Sequence, residues 1–119
     1  EELALTVSAG DRGNREAQAA KLYFPALFGA GFTRTMGDVT NDALNYGYAI
    51  IRSAVSKTLA GYGYSGVLGL HHIGPGNPFN LADDLMEPLR PLVDLWVDDH
   101  CDAGALCDRS IYQESDQCD

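Results

Sequence analysis

The sequence predicts an all-α fold, a compact bundle of three or more helices. Apolar residues recur at spacings of three and four, alanine-rich segments favour helix, and clusters of glycine and proline separate these segments. The chain has 119 residues, which is enough for one domain with one modest core. We see no internal repeat or linker, so we expect a helical domain over residues 1–96 and an acidic, poorly ordered tail over residues 97–119.

The first helix is expected to run from Arg15 to about Phe28, because strong helix formers fill this segment. Asn14 precedes it and is a favourable N-cap residue. Pro25 lies inside the segment, so a kink or an early stop is expected there. The glycine-containing residues 29–37 then form a loop.

The second helix is expected to begin near Thr40 or Asn41 and to end near Ala60, where a cluster of glycines follows. The glycine- and proline-rich residues 67–80 are predicted to form a structured loop. Apolar residues at spacings of three and four predict one buried face for this helix. They are Leu44, Tyr48, Ile51, Val55 and Leu59.

The third helix is expected to open near Asn80 or Leu81. Pro88 and Pro91 should bend it or split it into two short helices. Beyond Trp96 the apolar periodicity fades into acidic residues, glycine and cysteine. The apolar seam of this helix is predicted to consist of Leu81, Leu85, Leu89, Leu92 and Trp96.

Carboxylates and imidazoles occur in three segments that helix packing could bring together. Asp84 and Glu87 are three residues apart on the third helix, so their carboxylates share a face, roughly opposite the apolar seam. Oxygen donors with one imidazole suit Mg²⁺ or Mn²⁺ better than Zn²⁺. Such an ion can polarise a phosphodiester and activate a nucleophile. The residues that could contribute are Glu16, His71, His72, Asp83, Asp84 and Glu87.

These residues also have structural explanations. Glu16 lies in a first helical turn, where the helix dipole alone favours an acid. The acids of the third helix could form a solvated face, and the two histidines could be hydrogen-bonded loop structure. An odd number of cysteines near one end indicates a reducing cytoplasm, and with His100 they fit no common zinc-ligand spacing. These cysteines are Cys101, Cys107 and Cys118.

The net charge of −9 argues against a broad nucleic-acid-binding surface. Residues 97–119 hold seven acidic residues and one basic residue, whereas residues 1–96 hold ten and seven, a net of −3. A divalent cation among the acids would neutralise part of the remaining excess. No apolar run is long enough to span a bilayer, so we expect a soluble, cytoplasmic protein.

Four segments, in order, resemble the CRISPR-associated integrase family (CRISPR-associated protein one), the enzymes that acquire spacers. They look closest to the subtype found beside single-protein RNA-guided effectors. Family members also carry an N-terminal β-rich domain, to which nothing in this sequence corresponds, so the resemblance implies the catalytic helical portion. The segments are NREAQAAKLYFPALFG (14–29), LNYGYAIIRS (44–53), GLHHIGPGNPFN (69–80) and LADDLMEPLRPLVD (81–94).

The resemblance implies a site for Mg²⁺ or Mn²⁺. In relatives the ligating histidine lies three residues after the leading glycine of its segment, so Gly69 points to His72 rather than His71. Asp84 is implied to support a ligand or to bind a second ion. The implied direct ligands, which are also the implied catalytic residues, are Glu16, His72 and Glu87. Residues implied to contact DNA or to support the site are Asn45, Tyr48 and Asn77.

By the same resemblance, the reaction is strand transfer, in which a 3′-hydroxyl of captured DNA attacks a phosphodiester of the CRISPR repeat. Endonuclease cleavage is the same chemistry with water as the nucleophile. The implied partners are double-stranded DNA, a small second acquisition protein and a second copy of the integrase. One alternative is a catalytically silent helical domain with a structural or protein-binding role. Another is an acidic DNA mimic or an unrelated metal-binding helical protein, which leaves the four segments unexplained.

Overall fold

The computed structural model describes residues 14–102 and confirms the all-α prediction. Residues 14–102 contain no β-strand. Within the same residues, no helix has both the length and the apolar character that crossing a membrane requires. The helices in chain order are α1 (Arg15–Phe28), α2 (Val39–Gly61), α3 (Asn80–Met86), a 3₁₀ turn (Glu87–Leu89) and α4 (Arg90–Asp102).

Helix α1 has the bounds predicted from its composition, but its N-terminal capping differs from the prediction. Asn14 is the N-cap residue, as predicted, but its backbone is left-handed with φ of 50° and its side chain makes no capping hydrogen bond. Pro25 does not end the helix, because a proline removes only its own N–H from the hydrogen-bond ladder. The Pro25 carbonyl still accepts from the N–H of Gly29 at 3.0 Å.

Helix α2 begins slightly earlier than predicted, because Asp38 caps it. The Asp38 carboxylate accepts from the backbone N–H of Asn41 at 2.8 Å, which satisfies one of the free donors of the first turn. The predicted apolar stripe is confirmed. Leu44 is fully buried, Tyr48 is 8% exposed, and the rest of the stripe is half-buried.

The two prolines divide the last helical region, as predicted. Pro88 lies in the 3₁₀ turn, and Pro91 is the second residue of α4, where no intrahelical N–H bond is lost. Helix α4 does not end at Trp96, where the apolar periodicity fades, but continues to Asp102. The reason is that Val97, only 1% exposed, belongs to the core. Residues 103–119, with the rest of the predicted tail, lie outside the described residues.

The buried face of α3 and α4 differs from the predicted leucine seam by one residue, or about 100° around the helix. Most of the seam is exposed, including Leu92 at 61% and Trp96 at 55%. Helices α2 and α4 approach closely, since a Cβ at Gly47 would lie 2.5 Å from Cγ1 of Val93. Close approach favours small or β-branched side chains at the contact. The core-facing residues are Ala82, Met86, Val93 and Val97.

Two exposed residues of the seam, Leu92 and Trp96, line an apolar groove of about 860 Å³ between α2 and α4. Tyr46 and Ile50 of α2 face Leu92 and Trp96 of α4 across it, and each is more than half exposed. The Trp96 ring stacks on His100, with 3.8 Å between ring centroids. On α4, the predicted apolar face therefore lines a surface groove, and the adjacent face of the helix packs in the core.

The buried face of α3 and α4 can be tested by comparing Met86→Ala, at the end of α3, with Leu92→Ala in α4. Met86 is 1% exposed, so its truncation should lower the free energy of unfolding by about 2–5 kcal/mol. Leu92→Ala, on the groove side, should cost less than about 1 kcal/mol. Urea denaturation measures both values. Equal losses in the two variants would contradict the assignment of the buried face.

Candidate functional site

The Asp84 carboxylate fixes the loop before α3 onto that helix. Its Oδ2 accepts hydrogen bonds from the backbone N–H groups of Leu70 and His71, the latter at 3.0 Å. Its Oδ1 accepts from the N–H of His72 at 3.0 Å and lies 2.7 Å from Nδ1 of the same residue. The Asp84 side chain is 7% exposed, so these contacts replace water almost completely.

These hydrogen bonds also determine the charge of Asp84 and the tautomer of His72. Burial by itself would raise the pKa of Asp84, but hydrogen bonds from the backbone of His71, from the side chain and backbone of His72 and from the backbone of Leu70 outweigh it. The net effect holds the pKa well below its usual value, so Asp84 is ionised at neutral pH. An ionised carboxylate only accepts, so Nδ1 of His72 carries a proton, and in the neutral imidazole the lone pair is then on Nε2.

Gly69 allows the loop to pass close to Asp84. A Cβ at this position would collide with the carbonyl oxygen of His72 and lie 3.1 Å from Oδ2 of Asp84. The buried amide of Asn80 holds the other side of the loop, donating to the carbonyls of Val67 and Gly74 at 3.0 and 2.9 Å. Asn80 is not among the residues predicted for the site. The only feature of the sequence that could have indicated its role is its position at the start of a predicted helix.

Asn77 supports the same loop. Its Nδ2 donates to Oδ1 of Asn80 at 3.0 Å and to Oδ2 of Asp83 at 3.3 Å. Its Oδ1 accepts from the N–H of Phe79 at 3.0 Å, forming a turn that leads into α3. Of the two roles implied for Asn77, these contacts correspond to support of the loop.

Glu16 lies in the first turn of α1, beside the two histidines. Its Oε1 is 3.7 Å from Nε2 of His71, and the two side chains are 63% and 50% exposed. The ring centroids of His71 and His72 are 5.8 Å apart. The resemblance implied that Glu16 acts with His72, but the imidazole within ion-pair distance of Glu16 is that of His71.

Glu87 begins the 3₁₀ turn, and its Oε1 accepts from Nε of Arg90 at 2.9 Å. In the described part of the chain, no three His, Cys, Asp or Glu side chains are grouped so that they could hold one metal ion. The expected convergence of Glu16, His72 and Glu87 is therefore absent from this conformation. Each of the three side chains is instead paired with a neighbour, Glu16 with His71, His72 with Asp84 and Glu87 with Arg90.

Tyr48 belongs to a buried network that the sequence analysis did not identify. Its hydroxyl donates to Oδ1 of Asp94, and the hydroxyl of Tyr23 donates to Oδ2 of Asp94 at 2.9 Å. Asp94 is 3% exposed. Burial, followed by this hydrogen bond, raises the pKa of Tyr23 to about 12 and raises the pKa of Tyr48 as well. Asp94 follows Glu87 by seven residues, a helical spacing that was the only signal in the sequence.

Two arginines lie over the ring of Tyr48, and Asn45 binds one of them. Oδ1 of Asn45 accepts from Nη2 of Arg34 at 2.7 Å. The guanidinium carbon of Arg34 lies 5.5 Å from the Tyr48 ring centroid, and that of Arg90 lies 4.9 Å from it. Tyr48 therefore links α2 to the segment that carries Glu87.

The fold and these side chains define an all-helical domain with a histidine–carboxylate centre, formed by the start of α1, the loop before α3 and α3 itself. The sequence profile of the family described as CRISPR associated protein Cas1 matches residues 13–118. The chain belongs to this family, which confirms the resemblance found in the sequence.

Individual relatives carry related names. The chain is 61% identical over 95 residues to the CRISPR-associated endonuclease Cas1 of Neisseria meningitidis serogroup C (strain 8013), a match that covers 80% of this chain and 31% of the relative. It is 36% identical over 86 residues to CRISPR-associated endonuclease Cas1 1 of Pyrobaculum aerophilum, covering 69% of this chain and 28% of that protein. The chain thus spans less than a third of the length of these relatives.

The role of Asp84 can be tested with Asp84→Asn. The folded-state pKa of Asp84 lies below its unfolded value of about 3.9, so its charge stabilises the fold above that pH, and this contribution is lost as the pH falls towards the folded-state pKa. We expect Asp84→Asn to lower the free energy of unfolding by about 1–3 kcal/mol at pH 7. The difference from wild type should shrink below about pH 4.

The control is Asp83→Asn, on the same turn of α3, where loss of the charge should cost less than about 1 kcal/mol. Chemical denaturation at several pH values measures both variants. A deficit in Asp84→Asn that stays constant from pH 7 to pH 3 would contradict the assigned charge state.

The close approach at Gly69 can be tested with Gly69→Ala. The added methyl group collides with the His72 carbonyl, so we expect the free energy of unfolding to fall by about 1–3 kcal/mol. Gly31→Ala is a matched control, because a Cβ there has no atom within 4 Å. Thermal unfolding compares the two, and equal stability would show that the loop has room for a side chain at position 69.

Proposed function

We propose that this chain carries the catalytic centre of a metal-dependent DNA endonuclease and integrase, which inserts new spacers into a CRISPR array by phosphodiester transesterification. Membership of the Cas1 family supports this proposal, as do the endonuclease names of its relatives. The observation that carries it is the His72 imidazole. A buried, ionised carboxylate holds its Nδ1, which leaves Nε2 of the neutral imidazole as a lone-pair donor. The neighbouring His71 lies beside Glu16 at the start of α1.

The side chains available are of the type that Mg²⁺ and Mn²⁺ accept, namely carboxylate oxygens with one neutral imidazole nitrogen. We propose that Glu16, His72 and Glu87 hold the ion and that Asp84 positions the imidazole. When bound, such an ion polarises the phosphodiester and lowers the pKa of the attacking water or hydroxyl. The four hydrogen bonds already made by Asp84 favour a positioning role over direct coordination.

We propose that metal binding breaks two of the present ion pairs. Glu16 must leave His71, and Glu87 must leave Arg90. Both carboxylates are about half exposed or more, and ion pairs at such exposure contribute about 0–1 kcal/mol each. The free energy of binding a divalent cation can exceed these costs. The contact between Asp84 and His72 can persist throughout, because it uses the nitrogen that faces away from the proposed ion.

In the proposed reaction, the chain orients DNA and positions the groups that stabilise charge at the phosphate. The 3′-hydroxyl of captured DNA is the nucleophile in strand transfer, and water takes its place in cleavage. The proposed partners are double-stranded DNA (prespacer and CRISPR repeat), the small second acquisition protein and a second copy of the integrase. The proposed setting is the prokaryotic cytoplasm.

A catalytically silent helical domain is the second candidate. It is favoured by the separate pairing of the proposed ligands and by the net charge of −9, which weakens attraction to DNA. The two candidates predict different responses to a divalent cation.

The proposed site can be tested by adding Mn²⁺ while following thermal unfolding. At about ten times the Kd, binding contributes roughly 1.4 kcal/mol and should raise the Tm of the wild-type chain by about 5 °C. The double variant His72→Ala, Glu87→Ala should show no such rise, measured against its own metal-free Tm. His71→Ala is the matched control and should keep the rise, because His71 is not among the proposed ligands. An equal rise in the double variant and the wild type would reject the site.

Cleavage of a labelled DNA duplex provides the second measurement. Metal-dependent cleavage by the wild-type chain, lost in Glu16→Ala, would exclude the silent domain. A chain that neither cleaves DNA nor gains stability with Mn²⁺ would support the silent domain and reject the enzyme.

A further inference from the structure

A pocket of about 430 Å³ lies between α1, α2 and the start of α4, and Glu87 forms part of its wall. Ala19 and Ala20 line it from α1. They lie one turn beyond Glu16, on the same side of that helix. The pocket is therefore adjacent to the proposed metal ligands on two helical segments. Arg34, from the loop between α1 and α2, also lines it.

The Arg34 side chain is held in this pocket by neutral groups. Its Nη1 donates to Oδ1 of Asn41, and its Nη2 donates to Oδ1 of Asn45 at 2.7 Å. Its guanidinium carbon lies 5.5 Å from the ring centroids of both Phe24 and Tyr48. Two hydrogen bonds and two ring contacts fix the orientation of the planar group.

Asn41 is itself fixed, so Arg34 is attached to the folded core. Asn41 is 2% exposed, and its Nδ2 donates to the backbone carbonyls of Thr33 and Met36, both at 2.9 Å. These two bonds use both amide hydrogens and leave the amide oxygen facing Arg34. The geometry of the arginine is thus set before any ligand arrives.

Within residues 14–102, Arg34 has no ion-pair partner. The two carboxylates that line its pocket have other partners, since Glu87 pairs with Arg90 and Asp94 accepts from two tyrosine hydroxyls. No carboxylate of this region lies within ion-pair distance of its guanidinium, whereas Arg90 is paired with Glu87 at 2.9 Å. A guanidinium has five N–H donors, and the two bonds to asparagine leave others available. A fixed cation with free donors in a half-open pocket suits a phosphate, whose oxygens match the planar fork.

We propose that Arg34 binds a phosphate of the DNA backbone in this pocket and thereby places the DNA beside Glu16 and Glu87. This inference rests on the proposed function, since it assigns the residue that anchors the substrate of that same site. It also provides local positive charge in a chain with a net charge of −9. The Tyr48 hydroxyl donates to Asp94, and its ring lies under the Arg34 guanidinium, 5.5 Å from the guanidinium carbon.

Fluorescence anisotropy with a short labelled DNA duplex, measured over a range of salt concentrations, tests this inference. Arg34→Gln should weaken binding about tenfold and reduce the slope of log K against log salt by about 1, as expected for the loss of one phosphate contact. Arg34→Lys keeps the charge but loses the planar fork, so its affinity should be intermediate and its slope close to wild type.

Arg52→Gln is the matched control. The Arg52 guanidinium also lies over a ring, 4.6 Å from the Phe79 centroid, but it does not line this pocket. Its loss should change the affinity by less than about twofold in moderate salt, where distant charges are screened. If Arg52→Gln and Arg34→Gln weaken DNA binding equally, the loss is explained by net charge alone and the inference is overturned.

The Mn²⁺-induced rise in Tm separates this inference from the proposed function. Arg34→Gln should keep the rise, because Arg34 is not a metal ligand. If Arg34→Gln keeps the DNA affinity and salt slope of the wild type, and also keeps the Mn²⁺-induced rise in Tm, only the proposed role of Arg34 is overturned. Absence of the rise in the wild-type chain would reject the proposed metal site, and absence of DNA binding by the wild-type chain would overturn both.

Discussion

The Asp84 carboxylate is the contact on which the rest of the site depends. It joins three consecutive backbone N–H groups and one imidazole to α3, and α3 is anchored in the core by Met86. The loop is rich in glycine, which loses more conformational entropy on ordering than any other residue, so ordering it is costly. A buried anion that accepts four hydrogen bonds offsets that cost. The position of His72 is therefore a consequence of helix packing through one side chain.

The sequence contained enough information for the helices but not for the phase of the last one. Proline and glycine positions located the breaks, and the spacing of Leu44 and Tyr48 located the buried face of α2. On α4 the leucine spacing predicted the wrong buried face, one residue away from the face that packs in the core. Apolar character alone favours Leu92 over Val93, whereas the close approach at Gly47 accommodates only the smaller residue. Interhelical distance is a tertiary property, and the periodicity of one segment does not encode it.

The sequence indicated which segments carry the candidate site, but not how their side chains are arranged. Family resemblance led to Glu16, His72 and Glu87, which lie on adjoining elements, but it did not predict that each would pair separately. Such pairing depends on side-chain rotamers, which motifs do not specify. The Asp94 network and the Arg34 anchor were missed for another reason. Tyr23 and Asp94 are 71 residues apart in the chain, so only the packing of α1 against α4 shows that they interact.

The single tryptophan of the sequence lies away from this chemistry. Trp96 stacks on His100 and lines the groove between α2 and α4, and it is not among the residues that form the pocket around Tyr48. Its indole is 55% exposed, so its emission responds to the polarity of whatever adjoins the groove. Intrinsic fluorescence can therefore follow coverage of this apolar surface independently of events at the histidine–carboxylate centre.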